Sequence, residues 1–250
     1  LGPISFQPSE FLKLTFVLYL ASLLAARTQH LGNQAEKNGG ANKGVNFGET
    51  LFAFASGLIL ISLLLALQPD VSTLGIILLT ALLMYFSSKT PLWHTILVAS
   101  TGAGALVLLI KFKPYRFDRI ATFLNPDADL MGKGYQIKQA LIAIGSGGIF
   151  GQGLGMSLQR FGSLPQTISD SIFAIFAEEA GFIGSAFLIS LFLLFLWGSF
   201  RIIKKTQDKF SQLAAMGITC WIVIQAFINI GSMTGVLPLG GVPLPFISYG

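Results

Sequence analysis

The run SIFAIFAEEAGFIGSAFLISLFLLFLWGSF, residues 171–200, constrains this chain more than any other feature. It is apolar almost throughout and exceeds the roughly 20 residues with which an α-helix crosses a bilayer. Similar runs lie at about 7–26, 48–67, 71–88, 92–110 and 211–233. Lipid offers no hydrogen bonds, so segments of this length must satisfy their backbone groups internally, as helices. Charged residues make up 11% of the chain and hydrophobic residues 53%, against about 25% charged in a soluble domain. The expected fold is all-α: a polytopic transmembrane bundle of about six spanning helices.

The remaining bulk features fit that class. A net charge of +5 is accounted for by loop lysines and arginines that set orientation and meet anionic headgroups, with no need for nucleic acid. The single cysteine, Cys220, lies in an apolar run and reads as a small buried hydrophobe; no internal disulfide or cysteine-based metal site follows. No cleavable signal peptide is visible. The chain opens on Leu1 and stops at Gly250 inside LPFISYG, which reads as a piece of a longer protein.

Orientation follows from the short loops. Alternation puts Arg27, Lys37 and Lys43 of loop 27–47, then Lys89, then Arg201, Lys204, Lys205 and Lys209 on one side. The positive-inside rule makes that side cytoplasmic. The segment NQAEKNGGANKGVN, 33–46, reads as a flexible cytoplasmic linker within 27–47. The opposite side receives the amino-terminal LGPISFQPSE, the turn Gln68-Pro69-Asp70, a large extracytoplasmic loop over 111–170, and LPLGGVPLP near the end.

A loop that long calls for structure or function of its own. Within it KQALIAIGSGGIF, 138–150, is apolar but too short to span, and is expected to form an interfacial or re-entrant helix ending in glycines. The run IGSGGIFGQGLG, 144–155, fails the spacings of both the dinucleotide and P-loop fingerprints and follows no strand. Its glycines are expected to permit tight turning or close backbone approach.

The polar residues inside or beside the apolar runs are the candidates for function. Asp170 stands immediately before an apolar helix, where it can be an N-cap or a general base at the membrane surface. Glu178 and Glu179 lie about 12–14 Å further along the helix axis. Ionisable groups at such depth face a bundle interior or a water-filled cavity, either paired with a buried cation or marking a site. Lys13 follows Glu10 at a spacing that puts both on one helix face. Arg116, Arg119, Lys111, Lys113 and Lys133 make the start of the large loop cationic, suited to a pyrophosphate or to anionic lipid. His30 and His94 stand alone, without the spaced partners a metal site needs.

Five stretches in order resemble the SEDS family of shape, elongation, division and sporulation proteins, which includes FtsW, RodA and SpoVE. They are GPISFQPSEFLKL at 2–14, LQPDVSTLG at 67–75, RFDRIATFLNPDADLMGKGYQIKQALIAIGSGGIFGQGLG at 116–155, LPQTISDSIFAIFAEEAGFIG at 164–184 and GVLPLGGVPLPFISYG at 235–250. The resemblance covers nearly the whole chain as a single SEDS-type membrane domain, 1–250. The six runs look like the fourth to ninth of that family's ten helices. GYQ at 134–136 and SDSIF at 169–173 look more like the FtsW and SpoVE branch than RodA. Gln166 stands where the family pattern usually has a glutamate, and Ser72 where it usually has a glycine.

The resemblance implies a peptidoglycan glycosyltransferase in the bacterial cytoplasmic (inner) membrane, polymerising lipid II at the outer face. It implies that Asp170 is the catalytic aspartate, and that Lys13, Glu10, Arg116, Arg119, Lys133, Glu178 and Glu179 surround or bind the substrate. A class B penicillin-binding protein transpeptidase is the implied partner, and a divalent cation, Mg or Mn, a possible cofactor. A lipid II flippase is the rival reading, since intramembrane Glu and Lys suit transport equally.

Overall fold

The computed structural model describes residues 8–37, 47–67, 70–88, 93, 96, 98–104, 119, 121–125, 132–157 and 170–248. Among the described residues six long helices stand: α1 (Pro8–Lys37), α2 (Phe47–Leu67), α3 (Val71–Ser87), α4 (Lys133–Gly147), α5 (Ile172–Lys205) and α6 (Lys209–Met233). Three contain stretches long and apolar enough to cross a membrane: Ser9–Arg27, Ile172–Lys205 and Lys209–Met233. α2 and α3 carry shorter apolar stretches, Phe52–Ser62 and Ser72–Ser87. Large side chains such as Phe52, Ile59, Phe187, Leu194 and Trp197 point outward. A surface so rich in apolar groups is one made for lipid. This is a helical membrane protein.

The chain divides into two compact units. One gathers Leu1–Ser5, Val107–Leu196 and Ile222–Gly250, and the other Phe6–Leu106 and Trp197–Trp221. In the second unit, α1 buries Phe16, Val17, Leu20, Ala21 and Leu24, a stripe at helical spacing. α3 opposes it with Leu74, Ile77, Ala81, Met84 and Tyr85. Lipid is as apolar as these side chains, so close packing rather than expulsion from water holds the helices. Gly217 shows how: a side-chain carbon there would come within 2.6 Å of both Met84 Sδ and Val17 Cγ1. Phe54 of α2 packs its ring 4.7 Å from that of Tyr85. Asp70 caps α3, its carboxylate accepting the Thr73 N–H at 3.0 Å.

The first unit has its own core. Ile137, Ala140 and Ala143 of α4 meet Phe173, Ala174, Leu188 and Phe192 of α5 and Ala226, Ile230 and Met233 of α6; Leu239 and Leu244 from the following segment close it.

Two boundaries differ from the sequence expectation. α1 continues past residue 26 to Lys37, because ARTQHLGNQAEK is polar yet composed largely of good helix formers. Polarity ends a membrane span but not a helix; the rest of the expected linker, 38–46, lies outside the described residues. The short helix in the large loop runs from Lys133 to Gly147 rather than 138–150. Of the expected span at 92–110, residues 98–104 are helical and much of the remainder lies outside the described residues.

The largest departure is inside α5. Gly181 has φ 68° and ψ −166°, which breaks the helix in mid-span. A break frees carbonyls before it and N–H groups after it, and in a membrane these must find protein partners. The segment after α4 supplies them. Gln152 and Gly153 donate to the carbonyls of Glu178 and Glu179 at 3.0 and 3.1 Å. Phe182 and Ile183 donate to the carbonyls of Gly148 and Ile149 at 2.9 and 3.2 Å. The loop 148–153 is thus spliced into the gap in α5.

Candidate active site

Asp170 is buried, 7% exposed, in the turn that leads into α5. The first helical bonds are accepted by the Ser171 carbonyl, from Ala174 at 3.0 Å and Ile175 at 3.4 Å. Ser171 therefore takes the capping place, and Asp170 lies just outside the helix. Its own carbonyl is held from elsewhere: Asn229 Nδ2 donates to it at 2.8 Å. The Asp170 carboxylate stands over Gly241, where a side-chain carbon would lie 3.4 Å from Oδ2. Gly241 has φ 64°, a left-handed conformation that other residues adopt at a cost.

The support comes from a polar stripe on α6. Gln225, Asn229 and Ser232 follow at i, i+4 and i+7 and are all buried. Gln225 Nε2 donates to the Pro243 carbonyl at 3.1 Å, and Asn229 Nδ2 to that of Val242 at 2.7 Å. These donors hold a proline- and glycine-rich segment that makes no regular secondary structure of its own. From α4, Gln136 Nε2 reaches Ser171 Oγ at 3.2 Å. α4, the start of α5, α6 and the 239–244 segment therefore converge on Asp170.

Glu178 lies deeper, 1% exposed. Ser157 Oγ donates to its Oε2, and Ser146 Oγ lies 3.5 Å from its Oε1. Its partners are thus one hydroxyl of α4 and one from the segment that follows the 148–153 loop. Glu179 is partly buried, and its Oε1 has no hydrogen-bond partner among the described residues. The two glutamates take different surroundings, as their angular separation on a helix requires.

In the other unit Lys13 Nζ bonds Glu10 Oε1 at 2.5 Å, with Lys13 only 1% exposed and Glu10 about one-third exposed. The ammonium also lies 5.3 Å from the Trp221 ring centroid. The expected pairing along one face of α1 is therefore present. Arg119 is partly buried, while Arg116 and the side chain of Lys133 lie outside the described residues. Among the described residues no three His, Cys, Asp or Glu side chains gather as metal ligands.

Sequence reasoning found Asp170 and the two glutamates of α5 and missed what surrounds Asp170 and Glu178: Ser146, Ser157, Asn229 and Gly241. A legible signal existed for one. Asn229, with Gln225 and Ser232, forms a polar stripe in an otherwise apolar span, which in a membrane marks an interior or functional face. Ser157 and Gly241 carry no comparable mark.

A buried aspartate at the head of an interrupted membrane helix, beside a short non-spanning helix, defines a polytopic membrane protein with a preformed polar site. Comparison with known proteins narrows this class. The family described as cell cycle protein, FtsW/RodA/SpoVE, matches across residues 1–250, and the chain belongs to it. It is 38% identical over its whole length to stage V sporulation protein E of Bacillus subtilis (strain 168), covering 64% of that protein. It is 40% identical, again over its whole length, to the probable peptidoglycan glycosyltransferase FtsW of Saccharophagus degradans, covering 62% of it. Among solved structures, a peptidoglycan synthase complex that coordinates polymerization and crosslinking contains a chain similar to all of this one, with TM-score 0.71 and 26% identity, over 66% of that chain. The chain thus spans a little under two-thirds of the length of these relatives.

Proposed function

We propose that the protein is a peptidoglycan glycosyltransferase. It polymerises lipid II, an undecaprenyl-pyrophosphate-linked disaccharide-peptide, at the outer face of the bacterial cytoplasmic membrane, in cell division or cell-shape maintenance. The observation that carries this reading is Asp170: a buried residue at the head of a membrane span, its main-chain carbonyl bonded by Asn229 of α6 and its carboxylate poised over Gly241. The name borne by the Saccharophagus relative supports the chemistry. The solved synthase complex supports a transpeptidase partner, here a class B penicillin-binding protein.

In this reading Asp170 accepts the proton of an acceptor sugar hydroxyl as its oxygen attacks the anomeric carbon of the donor chain. The new glycosidic C–O bond forms, and the C–O bond to pyrophosphate breaks with its electron pair on the leaving group. Negative charge grows on the pyrophosphate, and cations there lower the barrier. Arg116, Arg119 and Lys133 supply positive charge from the large loop, and a divalent cation, Mg or Mn, would add to it. Glu178 holds the spliced loop in place behind the base.

One observation favours transport instead: interrupted spans such as α5 are common in transporters, where freed backbone groups bind the cargo. Here the freed groups of residues 178–183 are occupied by the 148–153 loop, so the break braces the fold rather than opening a path.

The test is polymerisation of purified lipid II by the full-length protein with its partner, wild type beside Asp170→Asn. Glycan chains from the wild type alone are expected. Equal chains from both would remove Asp170 as the base, and chains from neither, with flipping in liposomes, would establish the transporter.

A further inference from the structure

Asn229 is 1% exposed and spends its amide on two main-chain carbonyls from segments far apart in sequence. Nδ2 donates to Asp170 at 2.8 Å and to Val242 at 2.7 Å. Both carbonyls lie outside regular helix, and both flank the carboxylate: one belongs to Asp170 itself, the other to the residue after Gly241. Because Asp170 lies just ahead of the helical bonds accepted by Ser171, α5 alone does not fix its main chain. Rotation there would swing the carboxylate away from Gly241.

We propose that Asn229 is a positioning residue for Asp170, its two N–H groups clamping the Asp170 main chain to the 239–244 segment and so aiming Oδ2 over Gly241. This rests on the reading of Asp170 as the general base. A polar group whose two hydrogens meet two carbonyls at these distances is directional, and only an amide of this length supplies both. An error of about 1 Å in placing a base costs up to about 100-fold in rate.

The experiment uses the full-length protein with its transpeptidase partner and purified lipid II. Asn229→Asp keeps the volume and removes both donors, Asn229→Ala removes the whole group, and Asn229→Gln keeps both donors on a longer side chain. kcat and KM are measured beside thermal melting, with rates normalised to folded protein. The expected result is a fall in kcat of about 10- to 100-fold for Asp and Ala, with KM within about threefold of wild type and part of kcat restored by Gln. Wild-type kcat per folded molecule in either the Asp or the Ala variant overturns the proposal, as does a loss that follows the melting temperature alone. Asp170→Asn, run in parallel, separates the two readings. If it is active the base is misassigned; if it is inactive while Asn229→Asp and Asn229→Ala are fully active, only the positioning role falls.

Discussion

A methyl group on Gly147 would stand 2.2 Å from the carbonyl oxygen of Ala177. α4 thus ends in backbone-to-backbone contact with α5, one residue before Glu178. The obstacle is main chain and cannot rotate aside. Gly147→Ala is therefore expected to cost at least the upper end of the roughly 1–3 kcal/mol usual for overpacking. Thermal melting of the purified protein in detergent measures it, and an unchanged midpoint would show that the helices can part without loss.

Gly181→Ala sets two effects against each other. Helix propensity alone favours alanine by about 1 kcal/mol inside a helix. The backbone at Gly181, φ 68° and ψ −166°, lies in a region open essentially to glycine alone, and an added carbon would meet the Gly151 nitrogen at 2.3 Å. The second effect wins, so the variant is expected to be less stable. Hydrogen exchange should quicken at Gln152, Gly153, Phe182 and Ile183, whose N–H groups bridge the break; slower exchange there would contradict the splice.

Glu178→Gln replaces a carboxyl that accepts from Ser157 with an amide whose nitrogen can only donate. Ser157 now donates to Oε2, and an amide nitrogen there would face the hydroxyl instead. A loss of about 1–3 kcal/mol is expected, as for a buried group deprived of its partner. Ser157→Ala should lose a similar amount, and the double variant less than the sum, since both act on one contact. Full additivity in the melting data would mean that the contact contributes nothing.

Lys13→Met keeps the length of a side chain buried beside Trp221 and leaves Glu10 able to reach water. Glu10→Gln leaves the buried ammonium without the carboxylate it bonds, with Asp70 still attracting it. Stranding a fully buried charge costs about 3–5 kcal/mol, and less here because Glu10 is one-third exposed. The glutamine variant is thus expected to be the less stable of the two, and the reverse order in parallel melts would mean that the ammonium is adequately solvated without Glu10.

Asp208 caps α6 from outside the membrane, its Oδ2 accepting the Ser211 N–H at 2.8 Å and its carbonyl the Gln212 N–H at 2.9 Å. Hydrogen bonding to the Ser211 side chain first, and to its backbone N–H second, holds the carboxyl below its usual range. A depressed folded-state pKa means that the cap is fully effective above the unfolded value of about 4 and is lost as pH falls through the folded value. Amides 209–212 should lose protection only once the pH falls below that unfolded value of about 4. Asp208→Asn, which caps without titrating, should abolish that change; persistence of the change would assign it to another group.

The sequence alone determined the class and the candidates. Long apolar runs admit only spanning helices, and charges within them stand out because lipid makes them costly; that is why Asp170, Glu178, Glu179, Lys13 and Glu10 could be picked out without a structure. The short helix of the large loop and the close approach of its glycines were legible for the same reason. Tertiary structure alone decided what those residues touch. The break at Gly181 is invisible in a run that reads as one continuous span, because its cause is the 148–153 loop, about 30 residues away in sequence, which takes over the freed hydrogen bonds. Whether Asp170 caps its helix depends on Ser171 and on Asn229, 59 residues further on. Apolar periodicity reports which groups must leave lipid, but a hydrogen bond requires a partner at a set distance and angle. Only the packed chain brings distant segments to that distance.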